Sequence, residues 1–347
     1  MKAAVYLRNQ NRIEEQRRVA RNVRRMEGKI KGGSTTKVII KDDMGNKVEL
    51  VNKVDIERAM AAGNEKVGHQ TEGGSQLLTP TFIKCLGNYG EGPDTDSVLK
   101  GTFKCPENTS DATRDFLHAC KNSPKIDEVL TNDTISVRYH ECMRLWGMRK
   151  EKTCTYGKHI GHYKAAMKHN WLSWLFFQKG EIPAMSGYTP KRHRKCVDLM
   201  IMKKDNNFEY STQRKLGILD TEFNNNNKVV AKITRDNGLK LGTIAAEQFS
   251  RKGRSAIDDT LSKRLFIDHQ QSQRLCFALT SSDLGGCYDR IIHIAAALAL
   301  RRIGVPKSRI ESMFGCIQKM IHKIRTAYGD SDITYGGDII EEWENYP

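Results

Sequence analysis

The sequence predicts an α+β fold in which a small antiparallel sheet is backed by helices, and three observations predict it. A hairpin pattern lies near the amino terminus, a pair of short strand patterns lies near the middle, and regular helical periodicity dominates the last third. Apolar residues recurring every three to four positions mark helices, and alternating or short apolar runs bounded by turn residues mark strands.

The elements follow in order. Residues 4–31 read as a basic helix, with Val19, Val23 and Met26 at helical spacing among Arg17, Arg18, Arg21, Arg24 and Arg25. Residues 36–41 and 46–51 read as a hairpin turned by Asp43-Met44-Gly45, and 55–62 as a short helix. Residues 63–109 lack a periodic pattern and read as a long connecting region, with Leu99 and Phe103 as local anchors at most. Helices are expected over 110–122, 135–149 and 162–180, the last carrying Trp171, Trp174, Leu175 and Phe176. Strands are expected over 197–203 and 214–219, with Asn224 to Asn227 as a loop tip. Helix 255–269, a buried strand over 275–280, helix 291–303 and helix 308–326 complete the pattern. Gly304-Val305-Pro306 stops one helix, and Ser308 with Glu311 has the spacing of a capping box at the start of the next. Ile310, Met313, Phe314, Ile317, Ile321 and Ile324 form the apolar face of that last helix.

Composition narrows the function classes. The chain has 347 residues, 38% of them hydrophobic, which supports folded cores rather than wholesale disorder. A formal net charge of +16 favours a polyanionic partner. No apolar run reaches the roughly 18 residues of a membrane span, and no signal-peptide core precedes Arg25. Nine cysteines without a C-x-x-C pair fit a reducing compartment, cytosol or nucleus, better than a disulfide framework.

The strongest chemical signal is Leu275-Cys276-Phe277-Ala278-Leu279-Thr280-Ser281-Ser282-Asp283, followed by Leu284-Gly285-Gly286-Cys287-Tyr288-Asp289. An apolar run delivers an aspartate, small residues follow, and an aromatic-Asp pair opens a helix. Two-metal phosphoryl transfer needs a rigidly held carboxylate and close backbone approach to phosphates. Upstream lies Glu247-Gln248-Phe249-Ser250-Arg251-Lys252-Gly253-Arg254-Ser255.

Together these motifs resemble those of reverse transcriptases of LINE-like, non-LTR retroelements: the first palm motif and, before it, Gln-Phe-Gly-x-Arg-Lys-Gly-(Arg/Lys)-Ser. Gly161-His162-Tyr163-Lys164, Pro190-Lys191-Arg192, Lys215-Leu216-Gly217-Ile218 and Glu222-Phe223-Asn224 look like the fingers of the same family, and Arg325 to Asp330 follows toward its next palm motif. The resemblance covers about residues 155–331. It implies a partial right-hand polymerase, fingers plus an incomplete palm, over 151–347, preceded over 1–150 by a basic helical and irregular linker region. It implies Asp283 as a catalytic ligand of Mg2+ (or Mn2+), with Asp289 orienting the turn beside it. The backbone carbonyl of Leu284 would be a further metal ligand at the nucleotide site, and the ring of Tyr288 would lie under the sugar of the incoming nucleotide, excluding a 2′-hydroxyl. Gln248, Arg251, Lys252 and Arg254 would grip the template or its phosphates. The implied partners are an RNA template, a DNA primer and deoxynucleotides; neither a membrane nor a stable protein partner is implied.

The sequence departs from the family at three places. Gly217 stands where an arginine usually meets the triphosphate; Arg214 or Lys215 could replace it, but a one-residue shift reverses the strand face. Ser250 replaces a glycine. The later Gly-x-x-x-Gly loop and aromatic-x-Asp-Asp hairpin do not occur before Pro347, so the chain alone is expected not to polymerise DNA, and an unpaired sheet edge predicts poor solubility. Three rival readings remain. One is a non-catalytic nucleic-acid-binding protein, relic or domesticated. Another is a zinc module around Cys142, Cys154, His159 and His162, whose spacing fits no standard finger. The third, a cysteine nucleophile at Cys287, is disfavoured by Asp283 and Asp289, which would raise its pKa.

Overall fold

A computed structural model describes residues 36–42, 44–68, 75–122, 133–150, 159–202, 207–240, 242, 255–278 and 291–336. Its elements are β1 (Val38–Lys41), β2 (Lys47–Leu50), α1 (Lys53–Gly68), α2 (Pro80–Leu86), α3 (Thr95–Lys100), α4 (Asp111–Ala119), α5 (Ile135–Met148), α6 (Ile160–Ala166) and α7 (Asn170–Ser186). There follow β3 (Lys195–Met202), β4 (Gln213–Leu219), α8 (Thr221–Lys240), α9 (Ala256–Ser272), α10 (His293–Arg302), α11 (Lys307–Gln318), β5 (Ile321–Thr326) and β6 (Gly329–Tyr335). The class is α+β with small sheets. Among the described residues no helix is long and apolar enough to cross a membrane.

The described residues form two compact units. The first draws on residues up to 64, on 197–218 and on 322–335. Its hairpin pairs Val38 with Leu50 and Ile40 with Val48 in antiparallel register. The turn closes because the Asp42 carboxylate accepts the N–H groups of Met44 (3.0 Å) and Asn46 (2.8 Å), and Gly45 supplies a φ of +82°. The larger sheet has strand order β4-β3-β5-β6. Strands β5 and β6 are antiparallel with an irregularity between Lys323 and Arg325. There the hydroxyl of Ser331 accepts the Ile324 N–H at 2.9 Å, satisfying a donor that the ladder leaves over. Helix α1 presents Ile56, Met60 and Ala61 at helical spacing to Met200, Ile324 and Tyr335 of this sheet and to Val38 of the hairpin.

The second unit, from 65–196, 219–321 and 336, is mainly helical. Its first core joins Leu77, Phe82, Leu86, Val98 and Leu117 to Ile294 and Leu298 of α10. A second joins Cys142 and Trp146 of α5, Tyr163 of α6 and Phe177 of α7 to Val229 and Ile233 of α8. Trp146 stacks on Tyr163 with ring centroids 4.0 Å apart. Val305, Ile310 and Phe314 close a third around Ala297.

Five expectations are corrected. Residues 63–109 hold the end of α1, which runs on to Gly68, two further helices and much of a core; α2 and α3 each span two turns or fewer, too short to print a period. The single helix expected over 162–180 is two helices, broken at Met167–His169; at the start of the first, His159 caps it by accepting the Gly161 N–H at 3.0 Å. Asn224 to Asn227 lie inside α8, where Asn225 is buried and its amide reaches the Cys142 sulfur at 3.3 Å. The helix expected over 308–326 stops at Gln318, so Ile321 and Ile324 belong to a strand; Ser308 is not its cap, and Glu311 faces Lys307 at 3.8 Å. Leu275 to Ala278 form no strand and are exposed, Leu275 by 55% and Phe277 by 39%. No described strand pairs with them, so nothing rewards the extended ladder their composition would allow. Residues 279 and 280 of that run lie outside the described residues, as does the basic helix expected over 4–31.

Candidate functional site

Most of the site expected from sequence lies outside the described residues: Gln248, Arg251, Lys252, Arg254, Asp283, Leu284, Tyr288 and Asp289. Two structural facts bound those motifs. Ser255 caps α9 through a reciprocal capping box with Asp258, so helix begins directly after the basic motif ends. Helix α9 then exposes Ile257, Leu261, Leu265 and Phe266, an apolar stripe at helical spacing.

The described part of the site is the sheet of the first unit. Strand β4 is at its edge and carries Arg214 and Lys215, the two cations considered for the incoming triphosphate. Successive strand side chains point to opposite faces, and the two residues divide accordingly. Lys215 is half-buried and acts electrostatically on Asp198 of β3. Arg214 is exposed and makes no ion pair among the described residues. Of the two, Arg214 has its charge available to a ligand, while Lys215 is partly neutralised within the sheet.

Asp198 anchors a buried polar chain. It is completely buried in the middle of an apolar strand. Its Oδ2 accepts from the Tyr335 hydroxyl and from Nδ1 of His322 at 2.9 Å. The Tyr335 oxygen in turn accepts from the Asn64 amide at 2.9 Å, and the Asn64 carbonyl accepts from the Tyr210 hydroxyl at 2.9 Å. An ionised carboxylate only accepts, so the chain has one direction and the proton of His322 sits on Nδ1. The ring of His322 stacks on Tyr335 with centroids 5.0 Å apart. Burial pushes the Asp198 carboxyl up, but His322, Tyr335 and Lys215 outweigh it and hold the group below its ordinary value. A Cβ at Gly63 would meet the Tyr210 ring at 2.4 Å, so a side chain there would displace that ring from the chain. The chain ties α1, β3, β5 and β6 together, and β3 is the neighbour of the strand that bears Arg214 and Lys215.

Sequence reading missed this network. Its one visible signal is the aspartate inside Val197-Asp198-Leu199-Met200; Tyr335 lies beyond the helical periodicity, and His322 falls within it. The zinc reading loses described ligands: Cys142 is buried in a core, where desolvation pushes its thiol up to about 11, and the His159 Nδ1 lone pair is used as a cap. Cys154 and Cys287 lie outside the described residues. No family model matches the chain, and no curated protein matches it.

Proposed function

We propose that the chain carries the fingers and part of the palm of a reverse transcriptase of the LINE-like, non-LTR class, and grips an RNA template and a DNA primer. The observation that carries this reading is the paired motif: Gln248 to Arg254, an intervening helix, then Asp283 to Asp289 at the family's interval. The capped start of α9 at Ser255 and the exposed Arg214 are compatible with it. In this reading Asp283 would help to hold Mg2+, whose chemistry would be to polarise the oxygens of a nucleotidyl transfer. In a complete polymerase of this class the primer 3′-hydroxyl would attack the α-phosphate of a deoxynucleotide with loss of pyrophosphate, and Tyr288 would reject a 2′-hydroxyl; the 347 residues alone are expected to bind without polymerising. Arg251, Lys252 and Arg254 hold the template backbone. The net charge of +16 favours a second reading, a non-catalytic nucleic-acid binder whose contacts are spread over the surface.

Salt-dependent binding separates the two. The 347-residue chain is titrated onto an RNA–DNA primer–template at several salt concentrations. Replacing Arg251, Lys252 and Arg254 by alanine is expected to reduce the slope of log K against log salt by about two to three, each phosphate contact contributing roughly 0.7–0.9. Alanine at the exposed Lys84, Lys100 and Lys104 is expected to leave the slope nearly unchanged. Equal effects of the two triples would contradict the polymerase reading and favour the diffuse binder.

A further inference from the structure

A second cluster of chemistry-bearing side chains lies in the helical unit. His193 sits in a single 3-10 turn, Lys191–Arg194, fixed by its own N–H donating to the Pro190 carbonyl at 2.9 Å. Its ring lies 5.8 Å from that of Phe223. Asp220 precedes α8, and its Oδ1 accepts the N–H groups of Glu222 (3.0 Å) and Phe223 (3.1 Å). Glu222 is in the first turn of α8. All three residues are buried, His193 and Asp220 at 2% exposure and Glu222 at 4%. Their backbones are therefore set by a turn and a helix start, not by a loose loop.

One atom in this cluster is left over. Nε2 of His193 is buried and has no hydrogen-bond partner. It lies 3.8 Å from Asp220 Oδ1 and 3.8 Å from Glu222 Oε2, beyond hydrogen-bond reach of either. A buried, unpaired polar atom is costly, and here it faces two carboxylate oxygens. The spacing suits an ion better than a proton. Zinc holds nitrogen and carboxylate oxygen at roughly 2.0–2.2 Å. Two donors that far from one ion lie about 3.4 Å apart at a tetrahedral angle, so each 3.8 Å gap needs to close by only a few tenths of an ångström.

We propose that His193, Asp220 and Glu222 bind one divalent transition-metal ion of the zinc class. The donor set selects against Mg2+, which takes an octahedron of oxygens, and suits an ion that accepts imidazole with carboxylate. Glu222 already has partners: Oε1 accepts from Tyr163 (2.7 Å) and Lys179 (3.0 Å), and Oε2 accepts from Arg192 (3.1 Å). The Lys179 and Arg192 side chains are 40% and 41% exposed, so their charged heads can withdraw into water when the ion enters. Tyr163 stays on Oε1 and orients the carboxylate, as outer partners of metal ligands do. The proposal is independent of the polymerase reading, which assigns Mg2+ to Asp283.

The test uses the 347-residue chain after chelator treatment, titrated calorimetrically with Zn2+ and separately with Mg2+. Binding of one Zn2+ at least about a hundredfold tighter than Mg2+ is expected. The Co2+ derivative should show visible d–d absorption without a near-ultraviolet thiolate band. His193→Gln should weaken Zn2+ binding at least tenfold, while the pair His159→Ala and His162→Ala should leave it unchanged. Absence of Zn2+ binding, a thiolate band, or binding indifferent to His193→Gln overturns the proposal. Should His193→Gln fail to fold by circular dichroism, zinc-edge X-ray absorption on the unaltered chain decides. A nitrogen and oxygen shell with imidazole scattering supports the site, and a sulfur shell overturns it.

Discussion

Asp198→Ala is expected to lower the unfolding free energy by roughly 3–5 kcal/mol, the usual cost of removing one partner from a buried charged pair. Two donors lose their acceptor at once, the Tyr335 hydroxyl and His322 Nδ1, and Tyr335 is packed with Met200 and Ile324 in the core of the first unit. Urea unfolding followed by circular dichroism measures the loss; a change under about 1 kcal/mol would show that the buried chain carries little of the fold's stability. The pH dependence has a definite sign. The folded carboxyl is held below the ordinary value of 3.8. Its contribution is thus complete above the unfolded value and is lost as pH falls through the folded one. Asp198→Asn removes that charge while keeping an acceptor for Tyr335. It is expected to cost less than the alanine change and to flatten the acid limb of the stability profile below about pH 4.

Glu181→Ala is expected to be comparably damaging, again roughly 3–5 kcal/mol. Oε1 of Glu181 accepts from Arg138 Nε at 2.7 Å and from Arg309 Nη2 at 3.4 Å, which links α5, α7 and α11. The side chains of Arg138 and Arg309 are only 7% and 2% exposed. Without Glu181 they share Asp133 alone, which lies 3.0 Å from Arg138 Nη1 and 3.8 Å from Arg309 Nε. Burial already holds the Arg309 guanidinium below its ordinary value, against the pull of Asp133 and Glu181. Part of the loss should be recovered in the double variant Glu181→Leu with Arg309→Met, since apolar groups of similar volume replace a buried ion pair well, while Arg138 keeps only Asp133 at 3.0 Å. A thermodynamic cycle over the singles and the double measures the coupling, and additive losses would refute it.

The ease of reading the fold from sequence tracked the length of each local signal. The hairpin at 38–50, helices α5 and α10, and strands β3 and β4 were legible because each carries its own period, cap or turn residue. Residues 63–109 were not, because α2 and α3 are short and their apolar residues, Phe82, Leu86 and Val98, are explained only by Ile294 and Leu298 far along the chain. Ile321 and Ile324 continue the helical spacing of α11, yet they are strand residues. Ile324 packs between β3 and α1, a tertiary contact that overrides local periodicity. Asn224 to Asn227 misled because asparagine favours turns, whereas in α8 Asn225 finds a buried partner in Cys142.

The candidate sites divide in the same way. The basic and acidic motifs around Gln248 and Asp283 were visible as strings, whereas the Asp198 chain and the His193 cluster join residues from separate segments. Asp198 meets His322 across 124 positions. His193 meets Asp220 only because a strand pair returns the chain to its start, which no window of sequence displays.

In the proposed reading the motifs at 248–254 and 283–289 hold primer and template. Ultraviolet cross-linking of the 347-residue chain to an RNA–DNA primer–template, with the modified peptides mapped by mass spectrometry, tests it most directly. Cross-links concentrated in the peptides bearing Arg251 to Arg254 and Tyr288 are the predicted result. Cross-links confined to the arginine-rich first 31 residues, or scattered evenly over exposed lysines, would contradict it and leave a basic protein that binds nucleic acid by charge alone.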